Sequence, residues 1–129
     1  MIVLDASATI ELLLNTKTGA AVAARLGDES LHAPHLLDLE VAQVLRRWVR
    51  AGDIAAADGA AALEILALLD IERYDHVALL TRMWSLRNNV SAYDAAYVAL
   101  AEGLSAVLVT TDARLVKAAP GTRVDVVRG

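Results

Sequence analysis

Acidic residues fall at four places in this chain where a surface role alone does not explain a carboxylate. Asp5 directly follows the apolar run MIVL, and Asp112 follows AVLVT with one Thr between. Both runs have the short, continuous apolar character of buried strands, so both acids reach the carboxyl edge of a sheet. Asp is also a favoured helix N-cap, and a helix-like stretch follows each. Glu40 lies in HLLDLEVAQVLRRWV. At about 100° per residue Leu37, Val41, Val44, Leu45 and Trp48 share one face. Glu40 turns toward that face, whereas Asp38, Gln43, Arg46 and Arg50 lie outside it. A carboxylate turned inward is costly unless an Arg pairs with it or a metal binds it. Asp94 stands near the start of NVSAYDAAYVALAEGL, an otherwise apolar segment that ends at Glu102 and the stop signal Gly103. Tyr93, Tyr97, Leu100, Ala101 and Leu104 form its apolar face, with Asp94 at the edge. Ser91 three residues earlier makes a relaxed capping box, which explains Asp94 without function but leaves its side chain able to face a site.

Each acid has its own structural explanation, but together they ask for a shared one. Carboxylates that converge cannot all stay ionised without a counter-charge. A hard divalent cation such as Mg²⁺ or Mn²⁺ supplies that charge and prefers oxygen ligands. The chain carries 16 acidic and 12 basic residues, for a net charge of −4, so setting these four acids aside leaves 12 of each sign. The negative balance then equals the pocket.

Positioning the acids requires strands and helices in alternation. Strands are expected at 1–4, 31–33, 71–74, 106–110 and 123–127, with Pro34 ending the second. Helices are expected at 6–14, 18–26, 36–51, 54–69, 76–87, 91–102 and 112–118, with Gly52-Asp53 as a turn. This pattern predicts an α/β fold: a mostly parallel sheet between helical layers, with ligands beyond the carboxyl ends of the strands. At 129 residues the chain is expected to form one domain, 1–129, with a substantial core.

Composition narrows the rest. The hydrophobic fraction of 57% and mean hydropathy of +0.46 owe much to Ala. No apolar run approaches the length of about 18 residues that marks a membrane span. The acid at position 5 spoils a signal-peptide start, and the absence of Cys excludes disulfides and thiolate chemistry. A soluble, cytoplasmic protein is expected. The acidic balance does not advertise nucleic-acid binding, yet ten of the 12 basic residues are Arg, which suits phosphate and carboxylate. Gln43, Arg46, Arg47 and Arg50 form a polar stripe able to meet RNA phosphates, an acidic partner segment or simply solvent. His32, His35 and His76 show no metal or triad spacing and read as surface or loop residues. Trp48 and Trp84 have core-like spacings, and with five aromatic residues in all no base-stacking platform is expected.

The segments MIVLDASA, HAPHLLDLEVAQVL, SAYDAAYVALAEGL and LVTTDARL, in this order, resemble the four acidic motifs of PIN-domain ribonucleases. The chain length and the core YDAAYVALA are similar in particular to VapC-type toxins of bacterial type II toxin–antitoxin pairs. That resemblance implies a three-layer α/β/α fold with a sheet of four or five short strands. It implies Asp5, Glu40, Asp94 and Asp112 as catalytic, metal-binding acids, with Ser7 and Thr110 supporting them. It further implies metal-dependent hydrolysis of RNA, a VapB-type antitoxin that covers the pocket, and a homodimer. The Ala-rich helices at 18–26 and 54–69 offer apolar surface for either partner, or for internal packing. Ala113, Arg114 and Leu115 stand where some members place a further acid or Asn, so one Mg²⁺ or Mn²⁺ is expected, with a second ion left open as one that substrate phosphate would recruit. Other readings are weaker. A dehalogenase-type phosphatase needs an Asp where Asp5-Ala6-Ser7 has Ser, and the acceptor Asp and Lys of a receiver domain are not apparent. A degenerate domain serving solely as an RNA- or protein-binding module conflicts with the intact set of four acids.

Overall fold

A computed structural model describes residues 1–129. Its strands are β1 (Ile2–Leu4), β2 (Leu31–Pro34), β3 (Ile71–Tyr74), β4 (Val107–Thr110) and β5 (Val124–Val126). They form one sheet of order β3-β2-β1-β4-β5, with every neighbouring pair parallel. The helices are α1 (Ala6–Leu13), α2 (Lys17–Leu26), α3 (Leu36–Ala51), α4 (Ala56–Leu68), α5 (Leu80–Ser85), α6 (Ala92–Leu104) and α7 (Arg114–Ala118). The expected α/β/α layering and parallel sheet are both observed.

Helices cover both faces of β1, so its apolar residues run without alternation, and Ile2, Val3 and Leu4 have no exposed surface. Successive side chains still point to opposite faces. Val3, Ala33 and Leu108 join the larger core under α3, α4 and α6. Ile2, Leu4, Val107 and Val109 join a smaller core with Val22 and Leu26 of α2. Helix α6 lies against β1, β2 and β4, and seven consecutive residues from Ala95 to Ala101 are buried. Helix α3 ends at Gly52, whose φ of 80° lets its N–H reach the carbonyls of Trp48 and Val49. The strand order places the topological switch between β1 and β4, from which the connections run to opposite edges. In open α/β sheets that is where ligands bind.

Several expectations need correction. The helix expected at 76–87 is a 3-10 turn at Val77–Leu79 followed by the short α5. This segment carries two apolar stripes. Leu79, Met83 and Leu86 pack on the core, while Val77, Leu80 and Trp84 face outward, leaving Trp84 69% exposed rather than in the core. Trp48 does pack against the core. His32 is buried in β2, where its ring contacts Tyr74 Oη at 2.8 Å and Ser30 Oγ at 2.9 Å, so it is neither a surface nor a loop residue. His35 and His76 are exposed. Tyr93, assigned from periodicity to the apolar face of its helix, is exposed because it precedes the buried stretch.

Candidate active site

Parallel pairing of Leu4 with Val109 brings the ends of β1 and β4 side by side, which places Asp5 against Thr110. Asp5 caps α1 as expected, its Oδ1 accepting from the Ala8 N–H at 3.0 Å. The same oxygen accepts from the Ser7 hydroxyl at 2.7 Å, and Oδ2 accepts from the Thr110 hydroxyl. Both hydroxyls take further bonds: Thr111 N–H donates to Ser7 Oγ and Asp112 N–H to Thr110 Oγ1, each at 3.0 Å. The two supporting residues thus tie the ends of the strands together and fix the Asp5 carboxylate. A carboxylate accepts about four hydrogen bonds, and three are used, so Oδ2 keeps a free direction. Burial pushes the Asp5 carboxyl above its ordinary value despite these bonds, and the charge of Asp94 adds to the rise.

Glu40 faces inward from the second turn of α3, but no Arg pairs with it. Its Oε1 accepts from the Tyr97 hydroxyl at 2.7 Å. Burial raises the Glu40 carboxyl most, with the charges of Asp94 and Asp5 contributing. Tyr97 is pushed far above the usual phenol range by burial and by Glu40, so it remains a donor. Periodicity identifies Tyr97 as core but not as a holder of Glu40. The usable signal is that a buried Tyr hydroxyl normally finds a polar partner.

Asp94 sits half-buried in the first turn of α6, and Ser91 caps that helix by accepting from the Asp94 N–H at 3.2 Å. Burial raises the Asp94 carboxyl first and the charge of Asp112 second, while Arg114 opposes the rise. Capping and an inward carboxylate coexist, because the cap uses the Asp94 backbone and leaves its side chain to the site.

Asp112 differs. It does not cap α7, whose N-cap is Ala113 with no side-chain bond. Instead it folds into a local turn, accepting from the Arg114 N–H at 3.0 Å and from the Arg114 guanidinium through both oxygens, the shortest at 2.7 Å. That guanidinium holds the Asp112 carboxyl below its ordinary value.

Three of the four predicted acids are therefore raised, each first by burial. Asp94 adds to Asp5 and Glu40, and Asp112 adds to Asp94, while Asp112 itself is held at the rim by an Arg. Their donors fit a hard divalent ion: all are oxygens, and no basic side chain is bonded to Asp5 or Glu40, while Arg114 acts on Asp94 from its place on Asp112. As positioned, no three acidic or His side chains converge to ligating distance, so gripping an ion requires the carboxylates to draw together. Two clefts of different character flank them. One, of about 470 Å³, has Glu40 in a largely apolar wall with Leu36, Leu39 and Tyr93. The other, of about 410 Å³, is more polar and includes Asn89, Asp94, Asp112 and Arg114. The basic stripe of α3 divides between grooves. Arg47 borders the Glu40 cleft, whereas Arg46 and Arg50 border a groove between α3 and α4. All three are exposed.

A family model described as PIN domain matches residues 2–120. The chain is 49% identical over 115 residues to VapC ribonuclease Mb0985 of Mycobacterium bovis, covering 89% of this chain and 88% of that protein. It is 44% identical over 115 residues to ribonuclease VapC12 of Mycobacterium tuberculosis, covering 89% of each. Among solved structures, VapBC2 from Rickettsia felis bound to a DNA fragment from its promoter superposes with a TM-score of 0.74, covering 99% of this chain and 100% of that one. At 15% identity that likeness speaks for the fold.

Proposed function

The chain belongs to the PIN-domain family, and from that premise we propose that it is a metal-dependent endoribonuclease toxin restrained by a cognate VapB-type antitoxin. The observation that carries this reading is the gathering of Asp5, Glu40 and Asp94 at the switch point, each raised first by burial. The carboxylates of Asp5 and Glu40 are bonded only to hydroxyls and a backbone N–H, and to no cation of the protein. Carboxylates gathered at such cost require a counter-charge from outside. Asp5, Glu40 and Asp94 would hold one Mg²⁺ or Mn²⁺ that supplies it, with Asp112, here bonded to Arg114, as a fourth candidate ligand.

When bound, the ion polarises the phosphate and makes a water acidic enough to attack phosphorus. The residues of the chain do the positioning. Ser7 and Thr110 hold Asp5 against rotation, and Tyr97 holds Glu40. The oxygen of water bonds to phosphorus as one bridging P–O bond breaks. The proton that the water loses is balanced by the one that the departing oxygen gains from solvent, leaving a phosphate monoester and a hydroxyl. None of the three His residues is given a role: His32 is bonded to Ser30 and Tyr74, and neither His35 nor His76 lines the two clefts beside the acids.

Partners follow from surface chemistry. Val77, Leu80 and Trp84 form an exposed apolar stripe that suits a second copy of the chain as a homodimer. Leu63 on α4 is exposed in the groove that Arg46 and Arg50 border, a mixed apolar and basic surface that suits the antitoxin. Arg46, Arg47 and Arg50 remain candidates for RNA or antitoxin contact. No helix is long and apolar enough to cross a membrane, and the proposed activity places the protein in the cytoplasm as a single domain, 1–129. The test is cleavage of a mixed structured-RNA pool by antitoxin-free protein with Mn²⁺ or Mg²⁺, with EDTA, and with Asp5→Asn. Metal-dependent cutting that disappears in the variant supports the nuclease. Absence of both cutting and metal binding would leave a binding module.

A further inference from the structure

We propose that the apolar cleft beside Glu40 is a nucleobase subsite, receiving a base next to the phosphodiester to be cleaved, with Tyr93 as stacking surface and Gln43 as reader of the base edge. The inference rests on the nuclease reading above and adds to it a determinant of sequence preference. Ala6, Leu36, Leu39, Glu40, Gln43 and Tyr93 supply most of its wall.

Continuity with the acids comes first. Glu40 lines the cleft, is bonded to Tyr97 of α6 and lies close enough to Asp5 and Asp94 to feel their charges, so a group seated there adjoins the reacting position. Wall chemistry comes second. A phosphate placed against Leu36, Leu39 and Ala6 would lose its water to an apolar wall, and the Glu40 carboxylate would repel it, so the place for a phosphate is the border of the cleft at Arg47. A base has apolar faces and a polar edge, which is the combination the cleft offers. The volume of about 470 Å³ lies toward the lower end of ligand pockets and matches a single nucleoside better than a long peptide helix.

Exposure comes third. Tyr93 is 61% exposed and Leu39 72%, so the cleft presents an open ring and an open aliphatic side chain to solvent. Tyr93 immediately precedes Asp94, so its ring is carried on the same first turn as a site carboxylate. Gln43 offers an amide with both donors and an acceptor, the pattern needed to meet a Watson–Crick edge. Arg47 borders the same cleft and provides a cation for the adjoining phosphate. An antitoxin segment is the competing occupant, and the test separates the two.

The experiment uses full-length protein and labelled RNA octamers randomised at one position at a time. Cleavage is read with Mn²⁺ for the parent, Tyr93→Ala, Tyr93→Phe and Gln43→Ala. Binding is read by anisotropy with the same substitutions in an Asp5→Asn background, where nothing is cut. Expected are a base preference at one position beside the cut, its flattening in Gln43→Ala, and restoration of stacking by Tyr93→Phe. Loss of the ring in Tyr93→Ala should raise KM, and weaken binding, by roughly ten-fold or more, with kcat changing less. Unchanged affinity and preference in Tyr93→Ala and Gln43→Ala would overturn the subsite. So would variants that weaken capture of the purified antitoxin while leaving RNA binding untouched. A parent that binds octamers in a Tyr93- and Gln43-dependent way but never cuts them would retain the subsite and sink the nuclease reading.

Discussion

Asp5 and Asp112 leave adjacent parallel strands at the same edge of the sheet, yet they end in opposite electrostatic states. Asp5 is buried, held by two hydroxyls and a backbone N–H, and raised above its ordinary value. Asp112 lies at the rim, gripped by Arg114, and is lowered. A strand end thus decides where a carboxylate goes, while its surroundings decide which cation it wants. Asp5 has a site prepared around it and lacks a positive partner. Asp112 already has one in Arg114, and under the proposed function it would exchange that partner for the ion.

The widest gap between the two acids should appear in catalysis. Asp5→Asn is expected to cut the RNA cleavage rate by about 10³-fold or more, since several kcal/mol of metal-mediated charge stabilisation is lost at once. Asp112→Asn should cost less. Equal losses in single-turnover assays would mean that both acids enter the site in the same way. A near-isosteric amide at position 5 leaves the fold intact, and melting curves in EDTA should show Asp5→Asn no less stable than the parent.

The next largest effect tests the support of Asp5. Thr110→Val removes one hydroxyl from the carboxylate and one acceptor from the Asp112 N–H. Loss of such an outer-shell partner typically costs about 10- to 100-fold in metal affinity or activity. A value within three-fold of the parent in a Mn²⁺ titration would show that Ser7 alone suffices.

Dependence on pH sharpens the same contrast. Asp5, Glu40 and Asp94 are raised, so the folded metal-free protein holds their protons more tightly than the unfolded chain. Their stabilisation is fully present below the ordinary carboxylate value of about 4 and is lost as pH climbs through the raised values. Asp112, being lowered, works in the other direction: its contribution is present above about 4 and fades as pH falls through its native value. Three groups outweigh one that is bound to an exposed Arg, so this pocket should favour the fold at mildly acidic pH in EDTA. Mn²⁺ should stabilise more at pH 8 than at pH 5. Comparing the melting shift on adding Mn²⁺ at the two pH values, with Asp5→Asn alongside, separates the pocket from the remaining carboxylates.

The smallest effect concerns Arg114. Arg114→Ala frees Asp112 and should tighten Mn²⁺ binding by a few-fold at low ionic strength, fading with added salt as exposed ion pairs do. Weaker Mn²⁺ binding in this variant would mean that Arg114 holds Asp112 ready for the ion instead of competing with it.

These contrasts also show what was legible in the sequence. Strand-ending Asp5, inward-turned Glu40 and the Ser91 cap before Asp94 follow from local periodicity and capping chemistry, and all occur where expected. Burial of β1 on both faces follows from its unbroken apolar run. The partner of Asp112 was not legible in this way, because a two-residue turn onto Arg114 competes with the capping geometry that Asp otherwise favours. Tyr97, Tyr74 and His32 become polar partners through contacts across elements distant in the chain, which no local pattern encodes. Trp84 was misassigned because its segment carries apolar residues on two sides, and periodicity alone does not say which side meets the sheet. The stripe on α3 was correctly placed on its polar arc, but its division between two grooves depends on where α4 and α6 dock.

The central claim is that the raised acids form a single cation site. Isothermal calorimetry of the antitoxin-free protein with Mn²⁺ at pH 7.5, beside Asp5→Asn and Arg114→Ala (buffer pH chosen near neutrality), tests it directly. Saturable binding of about one ion per chain, abolished in Asp5→Asn and retained in Arg114→Ala, is the predicted result. Absence of binding by the parent, or binding that survives Asp5→Asn unchanged, would contradict it.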